Sequence, residues 1–375
     1  GAHDSACGCS HDQVAIDVDA RFAEAREIGE AIVERALSAL GDQMTSSGVV
    51  RFNPSPFERD GIPPLGYAVT DRAPESPLAG STLEPLTDGS GVSVDGTPVR
   101  LFDEPDVGDL YNWCPADDDH RVSPPNSIGV EGRAFEAEWD GLRVEVRVSR
   151  RADGLFFRLE GVIQNEREDH RLRLHVQLPN ATDRAVAGAP FELVDRPLVG
   201  EGSSVETASP TWPARHVVMA SRTAVLHEGV FEYEVVDGRE LAVTLLRCVG
   251  AISKEKLATR PWPAGPGTPT PNAQMIGKTE FVLGVWPHAE QDALLPTWEW
   301  FGLPIAKAPG RGGGDRPPSG SLLPVDGDIE LSNVRRREGH VTLTVWNRRQ
   351  DRSVEVFVAD HRHEIGPGKI ALVPF

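Results

Sequence analysis

Residues 135–165 read FEAEWDGLRVEVRVSRRADGLFFRLEGVIQN, and this stretch decides the fold class. Apolar and charged side chains alternate along it, and Asp-Gly pairs interrupt the alternation at 140–141 and 153–154. A period of two with turn residues between the runs is typical of antiparallel strands that bury one face. Similar runs recur downstream of residue 48, so the sequence predicts a mainly β protein with a large antiparallel β-sandwich at 48–307.

The N-terminal segment has a helical pattern instead. Ser10 and Gln13 form a capping-box pair, and Gly41 stands where a helix would end. Such a one-sided helix is not stable alone and needs partner helices. The downstream sequence shows no other helix of comparable length, so we expect the partners to precede residue 1. The apolar residues at steps of three to five are Val14, Val18, Phe22, Ala25, Ile28, Ile32, Leu37 and Leu40.

The C-terminal part has two further predicted segments. Residues 308–321 read APGRGGGDRPPSGS, a composition that predicts a flexible linker. Residues 322–375 contain two strand pairs and predict a small terminal β module. The predicted domains are therefore 1–47, the end of a preceding helical domain, then the sandwich at 48–307, the linker at 308–321 and the module at 322–375.

Composition excludes several classes of function. The chain has 375 residues and a formal net charge of −19, which disfavours nucleic acids and anionic membranes as partners. No run of 18 apolar residues is present, so we predict no transmembrane helix. Four cysteines are too few for a disulfide framework in a chain this long, and we expect a reducing, cytoplasmic location.

The first residues, GAHDSACGCSHD, are dense in metal-ligand side chains. His3, Cys7, Cys9 and His11 could form a local zinc site, but the two cysteines are spaced more tightly than in known zinc motifs. The alternative is a turn whose thiols are small apolar fillers. The adjacent residues His3 and Asp4 are a separate candidate. They place an imidazole and a carboxylate side by side on a loop that leads into the helix.

A second cluster, DEPDVGDLYNWCP at 103–115, is acidic and aromatic. Sugar sites combine carboxylates, which accept from hydroxyl groups, with exposed rings, which cover C–H faces. The alternative is a solvated acidic loop with Tyr111 and Trp113 in the core, and composition alone favours it. The charged stretch NEREDHRLRLHVQLP at 165–179 predicts a strand pair with surface salt bridges of little energy.

These stretches, taken in order, resemble the C-terminal half of the α-mannosidases of glycoside hydrolase family 38, and more narrowly its mannosylglycerate hydrolases. The specific matches are HDSACGCS and GDLYNWCP. FNP and HRLRL are weak alone but occur in the family's order, as does TRPWPAGPGTPTPNAQMIG, and together the matches cover most of residues 1–285. The resemblance implies a three-part plan of an N-terminal (β/α) barrel, a helical middle domain and galactose-mutarotase-like β-sandwich domains. The present chain would then be only the end of the helical part and the sandwiches.

The resemblance also implies an activity, retaining hydrolysis of α-mannosides with a zinc cofactor. His3 would be one zinc ligand, and Asp4 and Tyr111 would contact the substrate. The nucleophile, the general acid and the other zinc ligands would lie upstream, so the chain would contain no catalytic residue of its own and be inactive alone.

The implied partners are a mannoside and the missing barrel domain, and the sequence leaves a homo-oligomer open. The alternative functions are a non-catalytic carbohydrate-binding β-sandwich module, which would bind mannosides without zinc, and a purely structural domain. The sequence shows no GxSxG or HExxH motif that would favour another hydrolase class.

Overall fold

The computed structural model describes residues 8–71, 78–79, 81–116, 122–151 and 154–375. The described part is mainly antiparallel β, as predicted, with two α-helices, α1 (Asp12–Asp42) and α2 (Leu294–Gly302), and short 3₁₀ turns at Pro271–Gln274 and Gln291–Ala293. The strands are β1 (Ser47–Asn53), β2 (Gly66–Thr70), β3 (Leu78–Ala79), β4 (Leu83–Pro85), β5 (Gly91–Val94), β6 (Thr97–Pro105), β7 (Ser127–Glu131), β8 (Ala134–Trp139), β9 (Leu142–Arg151), β10 (Phe157–Asn165), β11 (His170–Gln177), β12 (Arg184–Ala189), β13 (Glu192–Pro197), β14 (Trp212–Ala220), β15 (Thr223–Val236), β16 (Glu240–Cys248), β17 (Gly277–Pro287), β18 (Ala306–Arg311), β19 (Ser319–Ser321), β20 (Val325–Asp326), β21 (Glu330–Arg337), β22 (His340–Trp346), β23 (Val354–Val358), β24 (His361–Ile365) and β25 (Ile370–Pro374).

The described residues divide into two compact units. Unit 1 is made of the described residues within Gly1–Ala23, Pro77–Gly188 and Val194–Leu294. Unit 2 is made of the described residues within Glu24–Ser76, Ala189–Leu193 and Leu295–Phe375. Helix α1 therefore contributes residues to both units.

Helix α1 begins and ends differently from the prediction. It starts at Asp12, and the backbone N–H of Gln13 donates to the Nδ1 atom of His11 at 3.1 Å, so His11 rather than Ser10 caps it. Gly41 lies within the last turn and does not follow it. A Cβ atom on Gly41 would lie 2.2 Å from the carbonyl oxygen of Pro309, so only glycine allows this close approach of two backbones.

The apolar face of α1 is covered at one end only. Leu37 and Leu40, in the last turns, are buried. Phe22 is 66% exposed, and Ile28 and Ile32 are also exposed. The described part of the chain leaves this stripe of the helix in contact with solvent.

Unit 1 contains one sheet of 15 strands. Its main path runs β4-β5-β6-β11-β16-β15-β17-β10-β9-β8-β7, and each neighbouring pair with a printed register is antiparallel. The stretch that predicted the fold forms β8, β9 and β10, where Val144 pairs with Ala137 on one side and Ile163 on the other. The inward residues of these strands belong to a single large apolar core.

Strand β11 lies between β6 and β16 and is buried on both faces. Leu172, Leu174 and Val176 point into the apolar core. Arg171 and Arg173, which alternate with them, are buried on the opposite face. This burial shows that the prediction of surface salt bridges for this strand is wrong.

Unit 2 contains three small sheets, with orders β18-β1-β2-β19, β20-β23-β24 and β21-β22-β25. The domain boundaries stay predictions, but the segment at 308–321 is more ordered than a flexible linker. Ala308 pairs with Val50 in β1, and Gly320 pairs with Tyr67 in β2. Glycine-rich composition misled here because glycine also lets two strands approach each other closely.

Among the described residues, none of the helices combines the length and the apolar character that a membrane span requires.

Candidate functional site

The acidic and aromatic cluster forms a rigid loop of unit 1, residues 106–115, which we call the tyrosine loop. It follows β6, and Asp109 is completely buried within it. One carboxylate oxygen of Asp109 accepts hydrogen bonds from the backbone N–H groups of Tyr111 and Asn112, both at 3.0 Å. The other oxygen accepts from the backbone N–H of Lys254 at 2.8 Å and from the guanidinium of Arg260 at 2.6 Å. A single carboxylate therefore holds the loop and ties it to a distant segment.

Asp106 does the same at the start of the loop. Its side chain, also fully buried, accepts from the backbone N–H of Gly108 at 2.8 Å and pairs with Arg247 at 2.7 Å. Gly108 is required there, because a Cβ atom on it would lie 2.0 Å from the carbonyl oxygen of Asn112. The loop thus has one backbone path with little room to change.

The partner of the tyrosine loop is the long proline-rich segment at 251–276, which we call the proline loop. Arg260 lies in this loop, and its guanidinium contacts Asp109, the side-chain oxygen of Asn112 and the hydroxyl of Ser253. The Nε atom of Arg260 donates to the carbonyl oxygen of Trp262 at 2.7 Å. One buried arginine therefore fixes both loops together.

The segment that leads into α1, together with the first residue of the helix, contacts both loops. The thiol of Cys9 donates to the carbonyl oxygen of Leu110 at 3.3 Å, next to Tyr111 in the tyrosine loop. The side chain of Asp12 accepts from the backbone N–H of Asn272 in the proline loop at 3.0 Å. Three segments that are remote in sequence therefore meet at one place in unit 1.

Tyr111 stands at the tip of the tyrosine loop and is 42% exposed. The backbone of Gly265 lies against it, since a Cβ atom on Gly265 would be 3.1 Å from the phenol oxygen. The alternative interpretation of this cluster, a solvated acidic loop with Tyr111 and Trp113 in the core, holds in part for Trp113, which is half-buried. It is wrong for Asp106 and Asp109, which are buried, and for Tyr111, which is exposed.

The electrostatics of the loop favour a charged Asp109. Burial alone would raise its pKa, but the hydrogen bonds from Arg260 and from the backbone of Lys254 and Asn112 outweigh burial, so the pKa lies below its usual value. A carboxylate with a lowered pKa whose oxygens are occupied by loop hydrogen bonds is a structural anchor. It is poorly suited to act as a general acid near neutral pH.

Beside the loop, β11 and its neighbours β6 and β15 carry a second set of charges, which we call the sheet-face cluster. Its buried members are Glu104, Arg171 and Arg173, and its half-buried members are Glu232 and Glu234.

In this cluster one carboxylate oxygen of Glu104 accepts a hydrogen bond from the Nε atom of Arg171 at 2.9 Å. The other oxygen accepts from the Nε atom of Arg173 at 2.6 Å. Burial would raise the pKa of Glu104, but the two arginines lower it below its usual value. The guanidinium of Arg171 lies over the ring of Trp113, 4.0 Å from its centroid, so the cluster supports the end of the tyrosine loop.

Of the sequence-predicted site residues, the structure describes Tyr111 only. His3 and Asp4, the expected zinc ligand and substrate contact, lie outside the described residues, as does Cys7. In the described ranges no group of three or more His, Cys, Asp or Glu side chains could hold a metal ion. His11, which belongs to the possible four-residue zinc site, accepts a hydrogen bond from the backbone N–H of Gln13 at the start of α1.

Sequence reasoning missed Arg260 and Arg247. Arg260 is 151 positions from Asp109, and no local spacing connects the two. The composition did not single them out either, because Asp106 also lies in the tyrosine loop and Lys254, Glu255 and Lys256 also lie in the proline loop.

Comparison with known proteins finds similarity both in sequence and in structure. A protein of Halalkalibacterium halodurans described as "Putative mannosylglycerate hydrolase" is 29% identical over 168 residues, which are 42% of this chain and 16% of that protein. A glycosyl hydrolase family 38 protein and an α-mannosidase, both from Enterococcus faecalis, match the whole chain with TM-scores of 0.77 and 0.78 at 16% identity. No protein-family model matches the chain.

The chain matches only part of the length of each of these proteins. The chain covers 64% and 62% of the two solved structures and 16% of the relative from Halalkalibacterium halodurans. Low sequence identity together with a TM-score near 0.8 shows a shared fold. The resemblance to glycoside hydrolase family 38 is therefore confirmed: over its whole length, the chain has the fold of one part of the family 38 proteins that it matches.

Proposed function

We propose that this chain is the C-terminal part of a retaining, zinc-dependent α-mannosidase and that it completes an active site whose nucleophile lies elsewhere. The observation that carries the proposal is the meeting of three segments in unit 1. The segment at residues 9–12, which begins five positions after Asp4 in sequence, contacts the tyrosine loop through Cys9 and the proline loop through Asp12. An exposed tyrosine lies on the first of these loops.

In this proposal each residue has a simple role. The Tyr111 hydroxyl hydrogen-bonds to the bound sugar, and Asp4 accepts from sugar hydroxyl groups. Asp106, Asp109, Arg247 and Arg260 do not touch the substrate, and they fix the tyrosine before it binds. Pre-positioning of this kind lowers the entropic cost of reaching the transition state.

The proposal gives this chain a single zinc ligand, His3. A tightly bound catalytic zinc ion needs about three protein ligands, and the described residues contain no group of three that fits one. We therefore derive no chemical step in this chain from a metal ion. The remaining ligands belong to the proposed barrel domain.

The test is hydrolysis of an aryl α-mannoside, measured with zinc and with a chelator. We expect no turnover by the purified chain, and turnover by the polypeptide that carries the chain together with the proposed barrel. Rapid turnover by the chain alone would contradict the incompleteness of its site. The absence of turnover by the longer polypeptide would contradict the mannosidase function itself.

The alternative, a carbohydrate-binding module, has support in the exposed aromatic side chains of the two loops. It predicts saturable binding of mannosides by the purified chain that is lost in Tyr111→Ala and does not change with zinc. This outcome, together with an inactive longer polypeptide, would replace the first proposal with the second.

A further inference from the structure

Trp262 in the proline loop has no evident structural role on the side it presents to solvent. Its side chain is 57% exposed. Burial of an indole is one of the largest contributions that a single apolar side chain makes to stability. A tryptophan that stays largely exposed does not make that contribution in full. Single exposed apolar residues are common, so the argument depends on how Trp262 is held and on what lies beside it.

The backbone around Trp262 is held on both sides. Its carbonyl oxygen accepts from Arg260 at 2.7 Å, and the N–H of Ala264 donates to the hydroxyl of Ser253 at 2.9 Å. Pro261 and Pro263 flank it in sequence and restrict the φ angle at each neighbouring position. The ring is thus presented from a rigid base, although it is exposed.

The same base places Trp262 beside the tyrosine. Gly265, three positions after Trp262, lies against the phenol of Tyr111. Three residues of extended chain span about 10 Å, so the two Cα atoms at 262 and 265 are no farther apart than that. Arg260 binds the tyrosine loop directly, through Asp109 and Asn112. Two exposed aromatic side chains therefore share one rigid support.

We propose that Trp262 forms a subsite for the sugar ring that follows the scissile bond, so that the preferred substrates carry a sugar as the leaving group. This proposal rests on the proposed mannosidase function. An indole face packs well against the C–H face of a pyranose, and it does so without the side-chain ordering cost of a flexible residue. Tyr111 contacts the mannose that is released, and Trp262 contacts its neighbour.

The experiment compares two substrates of the longer polypeptide. One is α-mannosyl fluoride, whose leaving group is too small to reach the subsite. The other is whichever of the α-1,2-, α-1,3- and α-1,6-linked mannobioses the wild-type protein hydrolyses fastest. We expect Trp262→Ala to raise KM for the mannobiose about tenfold, the effect of losing one stacking contact worth about 1.4 kcal/mol. For the fluoride, kcat/KM should change by less than twofold.

Two further variants serve as controls. Trp262→Phe keeps an aromatic face and should recover most of the lost affinity for the mannobiose. Phe357→Ala removes a 40%-exposed aromatic side chain from unit 2 and should leave the KM and kcat/KM values of both substrates unchanged. Because Trp262 is exposed, the phenylalanine variant is expected to fold even if the alanine variant does not.

The outcomes separate the two proposals. If the wild-type protein hydrolyses both substrates and Trp262→Ala leaves their KM values unchanged, the subsite is wrong and the mannosidase function stands. If Trp262→Ala raises the KM values of both substrates equally, Trp262 supports the whole site and the subsite proposal is again wrong. If the wild-type protein hydrolyses neither substrate, the mannosidase function fails, and the subsite fails with it.

Discussion

The tyrosine loop and the sheet-face cluster both bury charges, but the charges do different things. In the loop, Asp109 accepts from three backbone N–H groups and one arginine. In the cluster, Glu104 accepts from two arginine side chains, while the backbone of β11 is already paired with β6 and β16. The loop depends on its carboxylate for its shape. The sheet would keep its shape without one.

This difference has an energetic consequence. A buried ion pair replaced as a whole by apolar side chains is often neutral for stability, whereas the loss of one partner leaves an uncompensated charge. That rule should hold for the sheet-face cluster. It should fail for the tyrosine loop, where backbone donors stay buried without an acceptor.

The largest effect should follow removal of the loop pair. We expect the double variant Asp109→Leu/Arg260→Met to lower the free energy of unfolding by about 5 kcal/mol, because the N–H groups of Tyr111, Asn112 and Lys254 lose their acceptor and each costs about 1–3 kcal/mol. Denaturant titration measures it. A double variant within 1 kcal/mol of wild type, about the size of an ordinary substitution, would abolish the distinction between the two regions.

The sheet-face cluster should respond in the opposite way when its three buried members are replaced together. Glu104→Leu alone should cost about 4 kcal/mol, because Arg171 and Arg173 stay buried without it. The triple variant Glu104→Leu/Arg171→Met/Arg173→Leu should recover most of this loss, to within about 2 kcal/mol of wild type. The same titration tests both. A triple variant less stable than the single one would show that these charges are as indispensable as those of the loop.

A smaller effect should come from crowding the loop without touching its charges. Gly108→Ala should cost about 2 kcal/mol, the usual range for forcing an extra methyl group into a packed site, because its Cβ atom would meet the carbonyl oxygen of Asn112. Gly129→Ala in β7 is the matched control, since a Cβ atom there has no neighbour within 4 Å. We expect that control to stay within about 0.5 kcal/mol of wild type. Equal costs at the two glycines would refute the tight path of the loop.

Acid should weaken both regions through their carboxylates. The pKa values of Asp109 and Glu104 lie below their usual values, so the stability they contribute is complete above the unfolded-state pKa near 4 and is lost as the pH falls through the folded-state pKa. The triple variant lacks Glu104 and should therefore lose less stability than wild type between pH 5 and pH 3. Parallel pH profiles of the two proteins would contradict this assignment.

Much of the fold could be predicted because its signals are local. Alternation in residues 135–165 gave β8, β9 and β10, and the apolar period after Val14 gave α1. The errors share a cause, which is pairing over long distances in sequence. Arg171 lies 67 positions from Glu104, so a strand rich in arginine looked like a surface strand although its partners bury it. The segment at 308–321 looked like a linker for the same reason, since Ala308 pairs with Val50.

The sequence matches predicted which loop carries the candidate site, but they did not predict the contacts that hold this loop in place. The motif GDLYNWCP indicated Tyr111, and the exposure of that side chain agrees with a role in binding, which stays a prediction. Nothing near Asp109 in sequence indicated Arg260 or Lys254 as its partners. Those contacts exist only because the proline loop returns to the tyrosine loop in the folded chain.

The smallest stability effect belongs to the residue with the largest expected effect on activity. Tyr111→Phe should change the free energy of unfolding by no more than about 0.5 kcal/mol, because the loop is held by other side chains and the ring stays in place. Denaturant titration of the purified chain checks this. A loss of several kcal/mol would mean that the phenol oxygen, and not Asp109, holds the loop.

The same variant tests the central claim most directly, that a rigid loop of this chain presents Tyr111 to the sugar of an α-mannosidase. The measurement is kcat/KM for an aryl α-mannoside with the polypeptide that carries this chain and the proposed barrel. We predict a loss of at least about tenfold in Tyr111→Phe, the effect of one hydrogen bond to a developing charge. An unchanged kcat/KM in a folded Tyr111→Phe protein would contradict the account.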